Sequence, residues 1–280
     1  MEVRRHDTVE DFRKVAVDLY RRDPVLATVE LMVLRGRIVD SNPALLVTVW
    51  HGGAAVGAAF QTLRSPLLCG GLPEDTVGTV AAEVARVRPD LTGAHGPREI
   101  TALFAAQWHA ATGEVGTVGT RERLHRLGEL HPPTAVTGAI RPAAPADEPL
   151  LAHWLDGFRA DALGVTVDPT ARRGRTATEP PDQLLIWTDN GRPVSMVGVR
   201  RPTAGVSRIG PLYTPPERRG HGYGSAAICA AAQWALHAGA RDAVLFTDLT
   251  NPVVNAMYPR IGFVPVRDFS RIDFSKHARA

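Results

Sequence analysis

The chain of 280 residues is poor in cysteine and lysine, with only Cys69, Cys229, Lys14 and Lys276. Two distant cysteines do not form the disulfide framework of a small secreted domain, and they fit a reducing compartment. No run approaches the roughly 20 apolar residues that cross a bilayer, and the charged N-terminus lacks the apolar segment of a signal peptide. We therefore expect a cytoplasmic protein without a membrane partner.

The sequence also lacks the marks of a nucleic-acid or metal site. Its net charge is only +3, and no long basic run is interleaved with aromatic residues, so we expect no nucleic acid as partner. Nearly all basic residues are arginines, which suits phosphate binding but also follows from a compositional bias of the genome. No His, Cys or Asp cluster has metal-ligand spacing, so we expect no metal.

The most informative feature is the stretch RGHGYGS at residues 219–225. It lies between an apolar run at residues 209–214 and an alanine-rich run at residues 226–237, which predict a strand and a helix. The first amides of a helix lack intrahelical partners and carry partial positive charge, and glycine allows the backbone positive φ angles. The stretch therefore predicts a binding site for the phosphates of a nucleotide-bearing ligand.

The spacing of the glycines narrows the kind of site. A dinucleotide fold has G-x-G-x-x-G directly after its first strand, and a P-loop needs Gly-Lys-Ser/Thr, which this sequence does not contain. What remains is Arg-x-x-Gly-x-Gly, formed by Arg219, Gly222 and Gly224, with NPVVNAMY following at residues 251–258. Over residues 185–275 this combination resembles the GNAT N-acetyltransferase superfamily, whose loop binds the pyrophosphate of acetyl-CoA.

The resemblance implies roles for individual residues. In the family, the loop and the splayed end of the preceding strand hold acetyl-CoA, and a tyrosine on the helix after the fifth strand protonates the departing thiolate. That tyrosine corresponds to Tyr258. The cofactor-binding residues expected here are Leu212, Tyr213, Thr214, Arg218, Arg219, Gly220, His221, Gly222, Tyr223, Gly224, Ser225, Asn251 and Asn255. For Asn251, a plain helix cap is the alternative.

The base that would deprotonate the attacking amine is not evident. Asp248, Glu217 and His221 are candidates, and a water relay or an amine that arrives neutral would serve as well. Cys229 could in principle accept an acyl group, but its place in the alanine-rich run predicts a small buried residue.

Length and pattern predict two α/β domains with mixed sheets, residues 1–134 and 135–280. In the first domain, the place of the phosphate loop holds CGGLPED at residues 69–75, which has two acids and lacks the arginine–glycine pattern. We therefore expect a GNAT-like domain that has lost its cofactor site; an unrelated domain of helices and strands is the alternative. Its predicted helices are 7–20, 24–34, 74–88, 98–112 and 121–130, and its predicted hairpin strands are 44–50 and 54–63.

The second domain has the sharper pattern. An irregular connection is predicted at residues 166–181. The predicted helices are 147–162, 226–237 and one that begins after Asn251, and the predicted strands are 137–141, 183–188, 194–201, 207–214, 243–248, 263–266 and 271–274.

Together these features predict direct transfer of an acetyl group from acetyl-CoA to a primary amine of a small molecule or peptide, by a monomer or homodimer. The alternatives are a CoA-binding regulatory module without turnover and transfer of a different acyl group. A similar tandem arrangement occurs in mycothiol-synthase-like enzymes, so a sugar amine is one candidate acceptor among many.

Overall fold

The computed structural model describes residues 1–36, 43–63, 65–163 and 181–275, and the chain folds as two compact units. Of the described residues, the first unit contains those up to Glu122 and from Arg267 onward, and the second contains Arg123 to Val266. These limits differ from the predicted domains, residues 1–134 and 135–280, because two strands cross from one unit to the other.

The first unit begins with the N-terminal strand. Its elements are β1 (Glu2–Arg5), α1 (Val9–Tyr20), α2 (Thr28–Arg35), β2 (Pro43–His51), β3 (Ala54–Thr62), β4 (Leu67–Gly71), α3 (Val77–Val87), β5 (Gly93–Pro97) and α4 (Arg98–Thr112). Strand β6 (Val115–Leu127) begins in this unit and ends in the second.

The second unit continues from the end of β6. Its elements are β7 (Ala139–Pro142), α5 (Glu148–Leu163), β8 (Gln183–Asp189), β9 (Arg192–Val199), β10 (Val206–Tyr213), α6 (Tyr223–His237), β11 (Asp242–Asp248) and α7 (Pro252–Arg260). Strand β12 (Phe263–Ser275) begins here and ends in the first unit.

The two units repeat one strand order. The first has β1-β2-β3-β4-β5-β12-β6, and the second has β7-β8-β9-β10-β11-β6-β12. In each unit the first four strands pair antiparallel, and the fourth pairs parallel with the fifth. A parallel pair needs a long crossover, which α3 supplies in the first unit and α6 in the second.

Apolar residues fill the space between sheet and helices in each unit. In the first unit, α3 and α4 pack on the sheet through a cluster that includes Val80, Phe104 and Trp108. In the second, α6 packs through small residues such as Ala227 and Ala231, so its backbone lies close to the strands. The opposite face of that sheet is covered by α5 through Leu151 and Trp154.

Four predicted elements are corrected. Residues 121–130 were predicted as a helix, but residues 115–127 form β6, because strand partners distant in sequence outweigh the helix propensity of its Arg, Glu and Leu residues. Strands 263–266 and 271–274 are one strand, β12, and helix α2 begins at Thr28 rather than at residue 24. The predicted connection at residues 166–181 lies outside the described residues except for Pro181.

Candidate active site

The turn between β10 and α6 ends in a set of backbone amides at the start of a helix. A short 3-10 turn, Pro216–Arg218, leads to Gly220 and Gly222, whose φ angles are +82° and +80°. The first hydrogen bond of the helix joins the Ala226 amide to the Gly222 carbonyl at 3.0 Å. The amides of residues 223–225 precede it, and together with the helix dipole they suit a phosphate group.

The two arginines of this turn differ in their partners. Nε of Arg219 donates to the Thr214 carbonyl at 2.9 Å, and its guanidinium pairs with Asp161 of α5 and lies 5.9 Å from the ring centre of Tyr213. The side chain of Arg218 has no hydrogen-bond or ion-pair partner in the described part of the chain. Among the described residues, Arg218 therefore has no side-chain contact to give up when it binds a phosphate.

Tyr223 and His221 fix the turn through their side chains. The Tyr223 hydroxyl donates to Oδ2 of Asp189 at 2.7 Å, which lowers the pKa of Asp189 and raises that of the phenol. The exposed His221 ring stacks on Tyr223 at 5.5 Å, and its Nδ1 lies 2.8 Å from the Arg219 carbonyl oxygen. Because both side chains already have partners within the protein, these two residues are expected to bind a ligand through their backbone amides.

Strand β10 parts from β11 just before the turn. Their parallel pairing runs from Val206 and Asp242 to Arg208 and Val244, and it continues no further in the described strands. After a bulge, β10 pairs only with β9, where Leu212 lies opposite Val197 and Tyr213 opposite Met196. The backbone edge of residues 209–213 that faces β11 is therefore free of ladder hydrogen bonds, as expected for a strand that pairs with a bound ligand.

A polar contact on the β9 side supports this end of β10. The hydroxyl of the buried Ser195 donates to the Tyr213 carbonyl at 3.0 Å and lies 2.9 Å from the Thr214 hydroxyl. Gly224 lies close to Thr214 and Leu212, since a Cβ added there would be 3.4 and 3.6 Å from their side chains. The predicted residues 212–214 and 218–225 thus form one continuous surface, with the partly exposed Ser225 at its helical end.

Tyr258 is almost fully buried on α7, with 5% of its surface exposed. Its ring meets His125 at 6.1 Å and Phe263 at 6.0 Å between ring centres, and it belongs to the apolar cluster that also contains Leu245 and Leu212. Burial raises its pKa above the ordinary value of a phenol. Within the described residues no group hydrogen-bonds its hydroxyl, so this part of the chain leaves the proton donor free for a ligand.

Asn251 and Asn255 are both engaged in the junction between β11 and α7. Asn251 caps the helix, with its Oδ1 accepting from the amides of Val253 and Val254 at 3.1 and 3.3 Å. Asn255 donates to the carbonyls of Asp248 and Asn251 at 2.9 and 2.8 Å. Its Oδ1 accepts from the Thr247 hydroxyl at 2.9 Å. Their predicted contact with the cofactor arm would require sharing or replacing these bonds.

A family model described as the Acetyltransferase (GNAT) family matches residues 148–263, the segment that carries this turn and Tyr258. These residues form a GNAT domain. The resemblance predicted from the loop motif is thereby confirmed for this segment, and the family supports a transferase of the acyltransferase type. A comparison with the sequences of curated proteins gave no match.

Solved structures of GNAT proteins resemble this chain in fold over nearly its whole length. A GNAT-family acetyltransferase from Colwellia psychrerythraea has a TM-score of 0.63 at 11% identity, covering 98% of this chain and 100% of its own. GCN5-related N-acetyltransferases from Kribbella flavida and Sphaerobacter thermophilus have TM-scores of 0.59 and 0.56, at 18% and 17% identity. The first covers 90% of this chain and 97% of its own, and the second covers 97% and 94%. At these identities the likeness concerns the fold, and it confirms the predicted mixed α/β class.

The candidate bases in the GNAT domain have different surroundings. Oδ1 of Asp248 accepts from the amide and the hydroxyl of Thr250, both at 2.7 Å, so Asp248 closes a turn. Glu217 and His221 are exposed. Cys229 is buried, and burial raises the pKa of its thiol to about 11, so it is a poor source of a nucleophilic thiolate. None of these groups stands out as the base.

Sequence patterns did not reveal several residues that surround the site. Asp161, Asp189 and Ser195 hold the turn and the end of β10, but their sequence neighbourhoods resemble ordinary helix and strand surfaces. His125 lies on a strand that was predicted as a helix of the other domain.

In the described part of the chain, no group of three or more His, Cys, Asp or Glu residues is placed to hold a metal ion. No described helix is both long and apolar enough to cross a membrane.

Proposed function

We propose that the protein is an acetyl-CoA-dependent N-acetyltransferase whose active centre lies in the GNAT domain. The observation that carries the proposal is the turn at Gly220 and Gly222, both left-handed and placed at the start of α6, next to the point where β10 leaves β11. A diphosphate fits the amides of the turn, and an extended amide-bearing arm fits the free edge of residues 209–213.

Binding of the cofactor is shared between backbone and side chains. The amides of residues 220–225 bind the diphosphate, Arg218 adds charge, and Arg219 does so once it leaves Asp161. The backbone of Leu212, Tyr213 and Thr214 binds the arm. Acetyl-CoA supplies the activated acetyl thioester, and the acceptor is a primary amine of a small molecule or peptide.

In the chemical step, the amine nitrogen forms a bond to the acetyl carbonyl carbon and the carbon–sulfur bond breaks. Tyr258 donates its hydroxyl proton to the departing sulfur, which suits a buried phenol that is neutral at pH 7 and has no described hydrogen-bond partner. An amine that arrives protonated first loses one proton to a base or to water, and the second nitrogen proton, lost on amide formation, restores the Tyr258 hydroxyl through solvent.

We further propose that the N-terminal part of the chain, predicted as residues 1–134 and folded as the first unit, is GNAT-like and does not bind CoA. The support is the repeated strand order together with the close approach of β4 and β5. A Cβ added at Gly96 would lie 3.0 Å from the Gly70 amide nitrogen and 3.1 Å from Sγ of Cys69, so little room is left between these strands. We also propose that the protein is cytoplasmic and acts as a monomer or homodimer.

A pair of glycine variants tests the turn. Gly220 and Gly239 flank α6, have φ angles of +82° and +89°, and have open space where a Cβ would be added. Valine at either position costs similar backbone strain, roughly 1–2 kcal/mol. Only Gly220→Val should weaken CoA binding in isothermal titration, by about tenfold or more, since a charged hydrogen bond contributes roughly 1.5–3 kcal/mol. Equal affinities for the two variants would contradict the assignment.

Turnover is tested by release of free CoA thiol from acetyl-CoA in the presence of a panel of primary amines. Thiol release that depends on the amine, with an N-acetylated product identified by mass spectrometry, is the expected result. CoA binding without thiol release would favour the regulatory module, and faster release from longer acyl-CoA would favour a different acyl group.

A further inference from the structure

A histidine from the strand that enters the second unit lies against the proposed acid. His125 is on β6, only 3% of its surface is exposed, and its ring centre is 6.1 Å from that of Tyr258 with a 42° tilt between the planes. Both residues belong to the second unit. A buried imidazole against a buried phenol needs a reason, because an alkyl side chain would pack there without desolvating two ring nitrogens.

The backbone fixes the protonation pattern of this imidazole. Nδ1 of His125 lies 3.2 Å from the carbonyl oxygen of Arg123. A carbonyl oxygen only accepts, so Nδ1 carries the hydrogen, and in the neutral ring the lone pair resides on Nε2. A ring held in one tautomer has a fixed dipole.

Strand β6 is itself held firmly at this level. Arg126 pairs with Asp242 at the start of β11 with 2.5 Å between Nε and Oδ1, and the Gly128 amide donates to the Gly262 carbonyl at 2.8 Å. These contacts lie just after His125 and just before Phe263, whose ring also meets Tyr258. The strand therefore cannot shift without moving the surroundings of the phenol.

We propose that His125 is a positioning residue for Tyr258, which sets the orientation and acidity of the phenol that protonates the departing thiolate. This inference rests on the proposed function. Tyr258 is a titratable group whose ring packs against that of His125, and Nδ1 of His125 lies next to the Arg123 carbonyl oxygen.

A double-mutant cycle tests the inference in the full chain. His125→Phe keeps an aromatic ring but removes both nitrogens, and Tyr258→Phe removes the hydroxyl. We expect Tyr258→Phe to lower kcat by about 100-fold or more, and His125→Phe by about tenfold, with KM for acetyl-CoA within about twofold. The double variant should be no slower than Tyr258→Phe alone, because His125 acts through that hydroxyl.

Controls separate packing from positioning. His237→Phe changes an exposed histidine at the end of α6 and should leave kcat unchanged. If His125→Phe is unstable by thermal unfolding, the same cycle is run with His125→Gln, which preserves a polar side chain. Multiplicative rate losses in the double variant, or a full rate in the single His125 variants, would overturn the inference while leaving the proposed function intact. A lack of turnover in the unsubstituted chain would overturn both.

Discussion

In the first unit, β4 ends at Gly70 and Gly71, whereas in the second unit β10 leads to Gly220 and Gly222. The first pair has no positive φ angles, and a Cβ there would lie 2.5 Å from Oε1 of Glu30 or 2.4 Å from Cε1 of Tyr20. The second pair is left-handed, and Gly220 has open space in front of it. At Gly222 a Cβ would lie 2.7 Å from Cγ2 of Val136, so that glycine serves both backbone direction and close packing. Gly70 and Gly71 serve close packing, and Gly220 serves backbone direction.

The two turns also differ in the charge of their side chains. After β4 the chain enters a 3-10 turn that begins with Glu74 and Asp75, while the turn after β10 contains Arg218 and Arg219. Negative side chains at a helix start compete with a phosphate, and positive side chains attract it. The same strand order thus occurs with a candidate anion site in one unit and without one in the other. A few residues after the fourth strand make the difference.

The largest expected effect comes from comparing one buried tyrosine in each unit. The Tyr20 hydroxyl donates to the Ala58 carbonyl at 3.2 Å, whereas that of Tyr258 has no described partner. Tyr258→Phe should lower kcat by about 100-fold or more with little change in stability. Tyr20→Phe should cost about 1 kcal/mol of unfolding free energy and leave kcat unchanged. Steady-state kinetics and urea denaturation of both variants would show this contrast. A loss of kcat in Tyr20→Phe with an unchanged kcat in Tyr258→Phe would contradict it.

A smaller effect on stability is expected from the carboxyl group of Glu30, which lies next to Gly70 in the first unit. Glu30 is fully buried, and neither of its oxygens has a hydrogen-bond partner in the described part of the chain. Burial raises its pKa, with opposing contributions from the nearby backbone of Gly70 and from His95, and Tyr20 and Cys69 are the other titratable groups that sense its charge. A group of this kind folds best in its protonated, neutral form.

The pH dependence follows from the direction of that shift. Because the folded state holds the proton more tightly, its stability contribution is complete below the ordinary glutamate pKa near 4 and falls as the pH rises. Glu30→Met should raise the unfolding free energy at pH 8 by roughly 1–3 kcal/mol, since it removes an unpartnered buried group. Glu30→Gln should flatten the decline between pH 5 and pH 8 in urea denaturation. A decline as steep as that of the unsubstituted chain would contradict this explanation.

The smallest expected effect concerns the charge of the second turn. The Arg219–Asp161 pair is about half exposed on both sides, so it contributes at most about 1 kcal/mol. Asp161→Asn should release Arg219 for phosphate and tighten CoA binding by up to about fivefold in low salt. Asp156→Asn removes the same charge from the same helix, where it pairs with Arg159, and serves as the control. Equal affinities for both variants would mean that Arg219 does not contact the ligand.

The local part of this description was predictable from the sequence. Glycines, a preceding apolar strand and an alanine-rich helix lie within 30 residues of one another, and backbone conformation depends on such neighbours. Asn251 as a cap follows from the same local rules, and the cap is observed.

The rest depends on contacts distant in sequence. The helix propensity of residues 121–130 concealed a strand that pairs with β11, and with it the place of His125 beside Tyr258. Nothing in the sequence around Glu30 indicates that its carboxyl group is buried, because the groups near it come from β4 and β5. Local sequence patterns also could not predict that β6 and β12 each begin in one unit and end in the other.

The most direct test of the central claim is a crystal structure of the full chain with acetyl-CoA. We expect one molecule per chain, with its diphosphate on the amides of residues 220–225, its arm along residues 212–214 and its sulfur within hydrogen-bond reach of the Tyr258 hydroxyl. A diphosphate bound elsewhere, or a second molecule at Gly70 and Gly71, would contradict it.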